Sequence, residues 1–310
     1  MIELAHLFDI VREFDYPIKT CHLAEGPGGF AEAMHHLRNK KYPADQYYAI
    51  TLEDDADPAV PGWRKSGSLF GPTGKGVIDE RGRDGRGDLL NPANLIHLPE
   101  QLTGTCEIVT GDGGFDFSVD FNDQENAGAL LVLAQAGFAV KAQKPGGTFI
   151  LKIFDIFTRT TAETLYILSC LYSRMQIVKP NTSRQANSEK YVVCRGFRGD
   201  KDNAISMQIA HILVTARRHP GMRIKSLLGQ PPPRYFIDKL EECNAMLGQQ
   251  QIENISSTLA MMDNTRYDRL EIAKKNHVQK CLTWCQKHKL PFNRSHCPAN
   301  IFSSHPQRDE

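Results

Sequence analysis

The stretch HLAEGPGGFAEAM, residues 22–34, decides how the first part of this 310-residue chain is interpreted. It follows an apolar run, contains three glycines and a proline, and continues into a segment whose apolar residues have helical spacing. In an open α/β sheet a glycine-rich turn between a strand and a helix lies at the carboxyl edge, where the backbone can approach a ligand closely. The stretch therefore predicts a ligand-binding turn with Glu25 as its carboxylate; a plain strand–helix turn is the alternative.

Outward from this turn, strand-like and helix-like segments alternate over residues 20–197. The alternation predicts a Rossmann-like, doubly wound, mostly parallel α/β sheet. The predicted strands are 20–25, 47–52, 106–112, 147–154, 175–179 and 191–197, and the predicted helices are 2–14, 29–39, 123–142 and 158–173. Residues 53–104 are rich in glycine and proline and are predicted to be mainly loop.

The character of the chain changes near residue 200, where the alternation stops and amphipathic helices follow. This change predicts two parts. Residues 1–199 form the α/β domain, and residues 200–310 form an α-helical extension that ends in a flexible tail.

The composition excludes several classes of protein. The net charge is +1, so a polyanion would have to bind at a local patch. The sequence shows neither an apolar run of transmembrane length nor the amino-terminal pattern of a signal peptide. The eight cysteines are scattered, which favours a reducing compartment. We therefore expect a soluble intracellular protein that does not contact a membrane.

Cysteines and histidines near the carboxyl end raise the question of a metal site. They are Cys281, Cys285, His288, His296 and Cys297. A Cys-x3-Cys spacing on one helix differs from the usual paired-thiolate spacing of zinc sites. The pattern favours core thiols and surface histidines, and no metal is predicted.

Two cofactors fit the glycine turn and the acids that follow the second predicted strand. The spacing Gly26-x-Gly28-x-x-Ala31, with Glu53 or Asp54 as a ribose-binding acid, is typical of nicotinamide-dependent oxidoreductases. S-adenosylmethionine also suits such a turn, with the same acid holding its ribose hydroxyls. The glycine pattern leaves both alternatives open.

A lysine in the predicted strand 147–154 favours the second cofactor. Lys152 lies near the carboxyl end of a strand that is covered on both faces, where a charge needs a partner. Asp112 and Glu189 lie where they could face the same cleft. A desolvated lysine near carboxylates can remove a proton from a ribose hydroxyl during methyl transfer, a role without evident use in a nicotinamide enzyme. A lysine with a solvated head is the alternative.

Six stretches resemble the FtsJ-like ribose 2′-O-methyltransferases, in particular the eukaryotic and giant-virus enzymes that methylate mRNA caps, and the helical part resembles extensions on members from large DNA viruses. In chain order they are HLAEGPGGFAEAM, ITLEDD, DGRGDLLNPANL, IVTGDGGFDFSVDFNDQE, KPGGTFILKIFD and KPNTSRQANSEKYVVCRGF. The resemblance implies S-adenosylmethionine as the cofactor and capped mRNA as the substrate. It also implies a capping-machinery partner for the helical extension, and a location in the nucleus or in a cytoplasmic viral factory.

The resemblance also assigns site residues. It implies Asp112, Lys152 and Glu189 as three members of a catalytic Lys-Asp-Lys-Glu tetrad, with Lys152 as the general base. The residues implied at the cofactor are Glu25, Gly26, Pro27, Gly28, Gly29, Phe30, Glu53, Asp84, Gly85, Asp88 and Asp112. The residues expected at the RNA are Lys179, Ser183 and Arg184, which adjoin Glu189, and the basic loop 63–88 is a further candidate for phosphate contacts.

The chain departs from the family at the first lysine of the tetrad, which would align at or just before Met1. Lys19 is the nearby lysine, and it is predicted at the amino end of the first strand, away from the site. Three explanations follow: a chain that begins inside a longer protein, an enzyme that works with three residues, or a catalytically inactive module that binds cofactor or RNA.

Overall fold

The computed structural model describes residues 1–58, 60–64, 66–70, 74–114, 123–263 and 267–292. The strands in this part of the chain are β1 (Lys19–Leu23), β2 (Gln46–Ile50), β3 (Val77–Asp79), β4 (Cys106–Gly111), β5 (Gln143–Ile153), β6 (Tyr172–Val178) and β7 (Lys190–Phe197). The α-helices are α1 (Ile2–Leu7), α2 (Ile10–Glu13), α3 (Gly29–Arg38), α4 (Pro92–Ile96), α5 (Gln124–Ala142), α6 (Arg159–Leu171), α7 (Ala204–Arg218), α8 (Arg234–Asp263) and α9 (Tyr267–Lys287).

The strands that the structure describes form one sheet in the order β3-β2-β1-β4-β5-β7-β6. Strands β1 to β5 pair in parallel, and β7 lies antiparallel between β5 and β6. The chain builds outward from β1 in both directions, which places a switch point between β1 and β4. The prediction of a doubly wound, mostly parallel sheet is confirmed.

Most predicted elements are present with small shifts at their ends, but three details differ from the predictions. Strand β3 and helix α4 lie in the stretch predicted to be mainly loop, and both are short. Helix α4 begins where the side chain of Asn91 accepts a hydrogen bond from the Ala93 N–H group. The predicted leading helix is two helices, because Asp9 adopts a left-handed conformation with φ 52° between them.

The sheet separates two apolar cores, and β5 contributes to both. Phe149, Leu151 and Ile153 belong to the core on one face, with α5, α6 and α7. Ile150 belongs to the core on the other face, with α1, α2 and α3. Alternation along the strand puts Lys152 on the same face as Ile150.

The first helices after residue 199 pack onto the core of the α/β sheet. Helix α7 packs against α4 and α5, and Leu213 is fully buried. Phe236 and Leu240 at the beginning of α8 also join the core. The first compact unit accordingly ends at Ile255, and the second begins at Ser256, within α8. Residue 199 therefore marks a change of secondary structure and does not coincide with the boundary between compact units.

Among the described residues, no helix combines the length and the apolar character needed to cross a lipid bilayer.

Arg38 is a buried cation on α3, the helix that follows the glycine turn. It pairs with Asp45 at 2.7 Å, and both side chains are fully buried. Its guanidinium also donates hydrogen bonds to the carbonyl oxygens of Val11, Phe14 and Tyr16, at 2.9, 3.0 and 2.8 Å. These contacts fix α3 to α2 and to the segment that enters β1, so they hold the helix that carries the turn.

We expect Arg38→Met to lower the free energy of unfolding by about 3–5 kcal/mol, because Asp45 would keep a buried charge without its partner. Urea unfolding followed by circular dichroism measures the change. The control is Arg12→Met: Arg12 is mostly exposed and lies 3.7 Å from Asp9. Such a surface pair contributes about 0–1 kcal/mol. Similar small losses in both variants would show that the Arg38 contacts do not hold α3 in place.

Candidate active site

The turn after β1 and the end of β4 meet at the switch point of the sheet. Leu23 pairs with Gly111 in the parallel register, and the Asp112 N–H group donates a 3.1 Å hydrogen bond to the Leu23 carbonyl oxygen. Glu25 and Asp112 therefore leave adjacent strands at the same carboxyl edge. Crevices at such edges are where open α/β sheets bind ligands.

Glu25 connects the turn to the first residues of α3. Its Oε1 atom accepts hydrogen bonds from the N–H groups of Phe30 and Ala31. Its Oε2 atom is buried and has no hydrogen-bond partner among the described residues. Burial, together with the nearby charge of Asp112, raises the pKa of the Glu25 carboxyl well above its ordinary value.

Gly28 requires the backbone freedom that the sequence suggested. Its φ is +102°, and an added Cβ would collide with Cδ1 of the buried Leu69. The preceding Gly26 N–H group donates a 3.0 Å hydrogen bond to Oγ1 of Thr51. An added Cβ on Gly29 would meet no atom of the described chain within 4 Å. The turn is thus tightly packed on one side, while the space beside Gly29 is free of described atoms.

Glu53 follows β2 and is part of a chain of polar contacts. Its carboxylate pairs with Arg81 at 2.7 Å, and Arg81 also pairs with Asp79 at 2.7 Å. Asp79 in turn accepts a 3.0 Å hydrogen bond from Nε1 of Trp63. These contacts of Asp79 and Arg81 are not evident from the sequence, because they depend on the short strand β3, which pairs with β2.

The loop before α4 carries Asp84, Gly85 and Asp88. Both carboxylates accept hydrogen bonds from nearby groups between this loop and the start of α4. Asp84 accepts hydrogen bonds of 2.9 Å from the Arg86 N–H group and from the Asn91 side chain. Burial acts against this charge, but these hydrogen bonds outweigh burial and lower the pKa of Asp84. Asp88 accepts a 2.9 Å hydrogen bond from the Leu90 N–H group.

This loop comes close to the backbone at the end of β2. Gly87 has φ +68°, and an added Cβ would collide with the Thr51 carbonyl oxygen. The Glu53 N–H group also donates a 2.8 Å hydrogen bond to the Arg86 carbonyl oxygen. The structure thereby brings Asp84, Gly85 and Asp88 to the Glu53 side of the glycine turn.

Lys152 and Asp112 form an ion pair at the carboxyl edge of the sheet. The Lys152 Nζ atom lies 3.1 Å from Oδ1 of Asp112 and donates a 2.7 Å hydrogen bond to its backbone oxygen. The two side chains are 15% and 28% exposed, so the pair is largely shielded from water. Burial raises the pKa of Asp112 despite the lysine charge, which acts in the opposite direction.

Gln135 on α5 shapes the backbone that follows Asp112. This fully buried side chain accepts a 2.9 Å hydrogen bond from the Gly113 N–H group. A Cβ on Gly114 would lie 3.5 Å from the Lys152 Nζ atom, so the backbone of Gly114 passes directly beside the ammonium. The sequence analysis did not identify Gln135; its polar side chain within an apolar helix was the available signal.

Glu189 reaches this centre through the antiparallel pairing of β7 with β5. Tyr191 pairs with Lys152 in the register, and its hydroxyl lies 3.4 Å from Oε1 of Glu189. The charge of Glu189 also contributes to the raised pKa of Asp112. The structure therefore places Glu189 within electrostatic range of the Lys152–Asp112 pair, and we refer to Asp112, Lys152 and Glu189 as one cluster.

Met1 lies beside the same cluster. Burial lowers the pKa of its α-amino group, and the carboxylates of Asp112, Glu25, Glu3 and Glu189 act in the opposite direction. The region expected for the first lysine of the tetrad is therefore adjacent to Asp112. Lys19 lies elsewhere, because it begins β1 and donates to the Gln101 carbonyl oxygen.

The residues expected at the RNA differ in accessibility. Arg184 is exposed, whereas Ser183 is buried. Lys179 directs its ammonium into the loop that follows it, where it donates a 2.9 Å hydrogen bond to the Asn187 carbonyl oxygen and a 2.7 Å hydrogen bond to that of Glu189. Arg184 is therefore the accessible cation among the three.

Several basic side chains of loop 63–88 are occupied within the protein. Arg86 pairs with Asp54, and Lys75 pairs with Glu32. Arg64 donates a 2.8 Å hydrogen bond to the Asp54 carbonyl oxygen. Lys65 lies outside the described residues.

Among the described residues, no group of three or more His, Cys, Asp or Glu side chains could hold a metal ion. Cys281 is exposed, Cys285 is half-buried and His288 is buried. His296 and Cys297 lie outside the described residues.

The fold and this edge of the sheet define a Rossmann-like α/β domain with a ligand site at its switch point. A family model described as FtsJ-like methyltransferase matches residues 1–197, more than half of the chain, and the chain belongs to that family. This membership confirms the predicted family, the methyltransferase fold and S-adenosylmethionine as the cofactor. It also excludes the alternative interpretation of the glycine turn, in which the protein is a nicotinamide-dependent oxidoreductase.

Several curated proteins are similar in sequence to this chain. Cap-specific mRNA (nucleoside-2′-O-)-methyltransferase 2 of Mus musculus is 26% identical over 297 residues, which cover 90% of this chain and 36% of the relative. Cap-specific mRNA (nucleoside-2′-O-)-methyltransferase 1 is 36% identical in Trypanosoma cruzi (strain CL Brener), over 56% of this chain and 46% of the relative. The Homo sapiens protein of that name is 35% identical to this chain, and the match covers 56% of this chain and 21% of the relative. The chain thus spans less than half of the length of these relatives. Its resemblance to viral members stays a prediction.

We expect Gly28→Ala to weaken S-adenosylmethionine binding about tenfold or more, since an alanine at positive φ costs roughly 1–2 kcal/mol before any collision. The collision with Leu69 adds to this cost. Isothermal titration calorimetry measures the affinity. The control is Gly67→Ala, because Gly67 lies in the neighbouring loop, has no positive φ, and an added Cβ there meets no described atom within 4 Å. Equal affinities in the two variants would mean that the turn does not form the donor site.

Proposed function

We propose that this chain transfers a methyl group from S-adenosylmethionine to a ribose 2′-hydroxyl of RNA, and that the RNA is capped mRNA modified at the cap-proximal nucleotide. The observation that carries the proposal is the Lys152–Asp112 ion pair, 3.1 Å long, at the same sheet edge as the glycine turn. The printed names of the curated relatives support the choice of capped mRNA.

The residues at the turn fit a positively charged methyl donor. S-adenosylmethionine carries its methyl group on a cationic sulfur and also has an ammonium group. Glu25 offers a buried carboxylate oxygen without a partner among the described residues, and Asp112 is a second, partly buried carboxylate at the same edge. Carboxylates that have lost water favour a nearby cation. We assign Glu25, Asp112 and the open side of Gly29 to the donor's methionine and sulfonium region.

The remaining donor contacts follow the Glu53 side of the turn. We assign the Glu53 carboxylate to the ribose hydroxyls of the donor and the loop with Asp84, Gly85 and Asp88 to its adenine. Arg81 supports this assignment because its ion pair, 2.7 Å long, fixes the Glu53 carboxylate. The backbone of Gly26, Pro27, Gly28 and Phe30 completes the site.

Lys152 is the proposed general base. In its neutral form, Nζ accepts the proton of the ribose 2′-hydroxyl while that oxygen forms a bond to the methyl carbon and the carbon–sulfur bond breaks. The ammonium that results is stabilised by the Asp112 carboxylate, and Glu189 orients the target ribose. Positioning and proton removal supply the catalysis in this arrangement.

Arg184 is the proposed contact to RNA phosphates, because it is exposed and belongs to the loop that leads into Glu189. Exposed apolar side chains on α8 support the proposal of a capping-machinery partner, because exposed apolar surface can mark a binding site for another protein. They are Met246 and Ile252.

S-adenosylmethionine should bind more tightly as the pH rises. The pKa values of Glu25 and Asp112 are raised by burial, so both carboxyls keep their protons to higher pH than ordinary acids. A cationic ligand favours the ionised forms, and affinity therefore increases as the pH passes upward through the raised pKa values. Calorimetry between pH 5.5 and 8.5 tests this dependence.

Glu25→Gln should bind S-adenosylmethionine about tenfold or more weakly at the upper pH, since hydrogen bonds to charged groups contribute roughly 1.5–3 kcal/mol. It should also flatten the pH dependence. S-adenosylhomocysteine, whose sulfur is neutral, is the matched ligand and should show a smaller pH effect. An unchanged pH profile in Glu25→Gln would remove Glu25 from the donor site.

Methyl transfer to capped RNA should depend on Lys152. We expect Lys152→Ala to lower kcat about 10²- to 10⁴-fold, the usual contribution of a positioned base. S-adenosylmethionine affinity should stay within a few-fold. Lys40→Ala, at an exposed turn after α3, is the control and should keep full activity.

The RNA substrates distinguish the parts of the proposal. Capped RNA should accept a methyl group, whereas the same RNA with a 2′-deoxy first nucleotide should not. Equal rates for Lys152→Ala and the unchanged chain would reject Lys152 as the base. Donor binding without turnover on any RNA would favour the inactive binding module.

A further inference from the structure

The loop between β6 and β7 carries Glu189 at its end. We name residues 180–189 the Glu189 loop. Lys179 immediately precedes it, and β7 begins immediately after it. Contacts that hold the end of this loop also constrain the backbone that carries the Glu189 side chain, because Glu189 directly precedes β7.

The Lys179 ammonium is surrounded by oxygen atoms of this loop. It donates hydrogen bonds to the Asn187 carbonyl oxygen, Asn187 Oδ1 and the Glu189 carbonyl oxygen, at 2.9, 3.0 and 2.7 Å. Ser183 Oγ lies 3.4 Å away. An ammonium has three protons, so the shorter contacts use all of its donors.

Burial supports this description of Lys179. The side chain is half-buried, and loss of water lowers its pKa to about 8, although the charges of Glu189 and Asp155 act in the opposite direction. A partly dehydrated ammonium needs polar partners to replace its water, and the loop carbonyl groups supply them. A lysine committed in this way has no donor left for an RNA phosphate.

The opposite end of the loop is fixed by Glu3 from α1. Oε1 of Glu3 accepts hydrogen bonds from the Asn181 N–H group and side chain, at 3.0 and 2.7 Å. Oε2 accepts hydrogen bonds from Thr182, at 3.2 Å from its N–H group and 3.3 Å from its hydroxyl. Glu3 is itself buried. The Glu189 loop is therefore held at both ends, and Lys179 holds the end that bears Glu189.

We propose that Lys179 is a positioning residue for methyl transfer, which holds the Glu189 loop so that the Glu189 carboxylate lies beside the Lys152–Asp112 pair. The proposal rests on the function proposed above for that pair. Lys179 acts through the backbone of Asn187 and Glu189, and it replaces the contact with RNA expected from the sequence.

Lys179→Met tests the proposal, because methionine keeps much of the length and removes all three donors. We expect kcat to fall about 10- to 100-fold, since a displacement of about 1 Å in a catalytic group can cost that much. The KM for RNA and the affinity for S-adenosylmethionine should change less than threefold. Lys40→Met is the control and should behave like the unchanged chain.

Asn187→Ala is the second variant, in case Lys179→Met fails to fold. It removes one acceptor of Lys179 and the 3.2 Å acceptor of the Glu189 N–H group, and it leaves no buried carbonyl without its lysine. We expect a smaller loss of kcat in the same direction. If kcat is kept and the KM for RNA rises in Lys179→Met, Lys179 is an RNA contact and the proposal is overturned.

Hydrogen–deuterium exchange provides a readout that does not depend on activity. The Ser183 and Asn187 N–H groups donate hydrogen bonds within the loop, at 3.1 and 3.2 Å. Their exchange should become faster in Lys179→Met, while that of β4 and β5 stays unchanged. If the unchanged chain shows no methyl transfer, the proposed function fails. The exchange rates of the Glu189 loop test the role of Lys179 independently of activity. Faster exchange in Lys179→Met supports the holding role of Lys179, and unchanged exchange overturns it.

Discussion

The ion pair of Lys152 and Asp112 is the constraint on which the rest of the site depends. A shielded charge is costly unless its partner is held in place, so the ends of β4 and β5 must meet in a fixed register. Gly111 pairs with Leu151 in that register. The buried side chain of Gln135 then fixes the backbone after Asp112. This ion pair is thus a product of sheet register and one buried amide rather than of loop flexibility.

Carboxylates other than Asp112 lie within electrostatic range of this pair. Glu25, Asp112 and Glu189 lie close enough for their charges to influence one another or the Met1 amino group. Burial raises the pKa values of Glu25 and Asp112, which shows that the protein alone does not fully compensate these carboxylates. Such a site is costly for stability and suited to a cationic ligand. The electrostatics therefore agree with the cationic methyl donor of the FtsJ-like family.

Much of the fold, and the meeting of Lys152 with Asp112 at one edge of the sheet, could be predicted from the sequence. Apolar runs marked most of the strands, and alternation within β5 identified Lys152 as a lysine that needs a partner. The contacts of Arg81 could not be predicted, since they depend on β3, which has three residues and lies in a glycine-rich stretch. The orientation of the Lys179 side chain could not be predicted either, because its three hydrogen-bond acceptors are oxygen atoms that only the folded loop brings together.

The helical part of the chain is joined to the site through α8. Asn244 donates a 3.0 Å hydrogen bond to the Ile156 carbonyl oxygen, in the segment that follows β5. Gln251 donates a 3.3 Å hydrogen bond to the Ala186 carbonyl oxygen, in the Glu189 loop. The same helix buries Phe236 in the core. Because one helix contacts both segments that flank the Asp112–Lys152–Glu189 cluster, residues 204–255 belong to the same compact unit as the FtsJ-like domain, although the family match ends at residue 197.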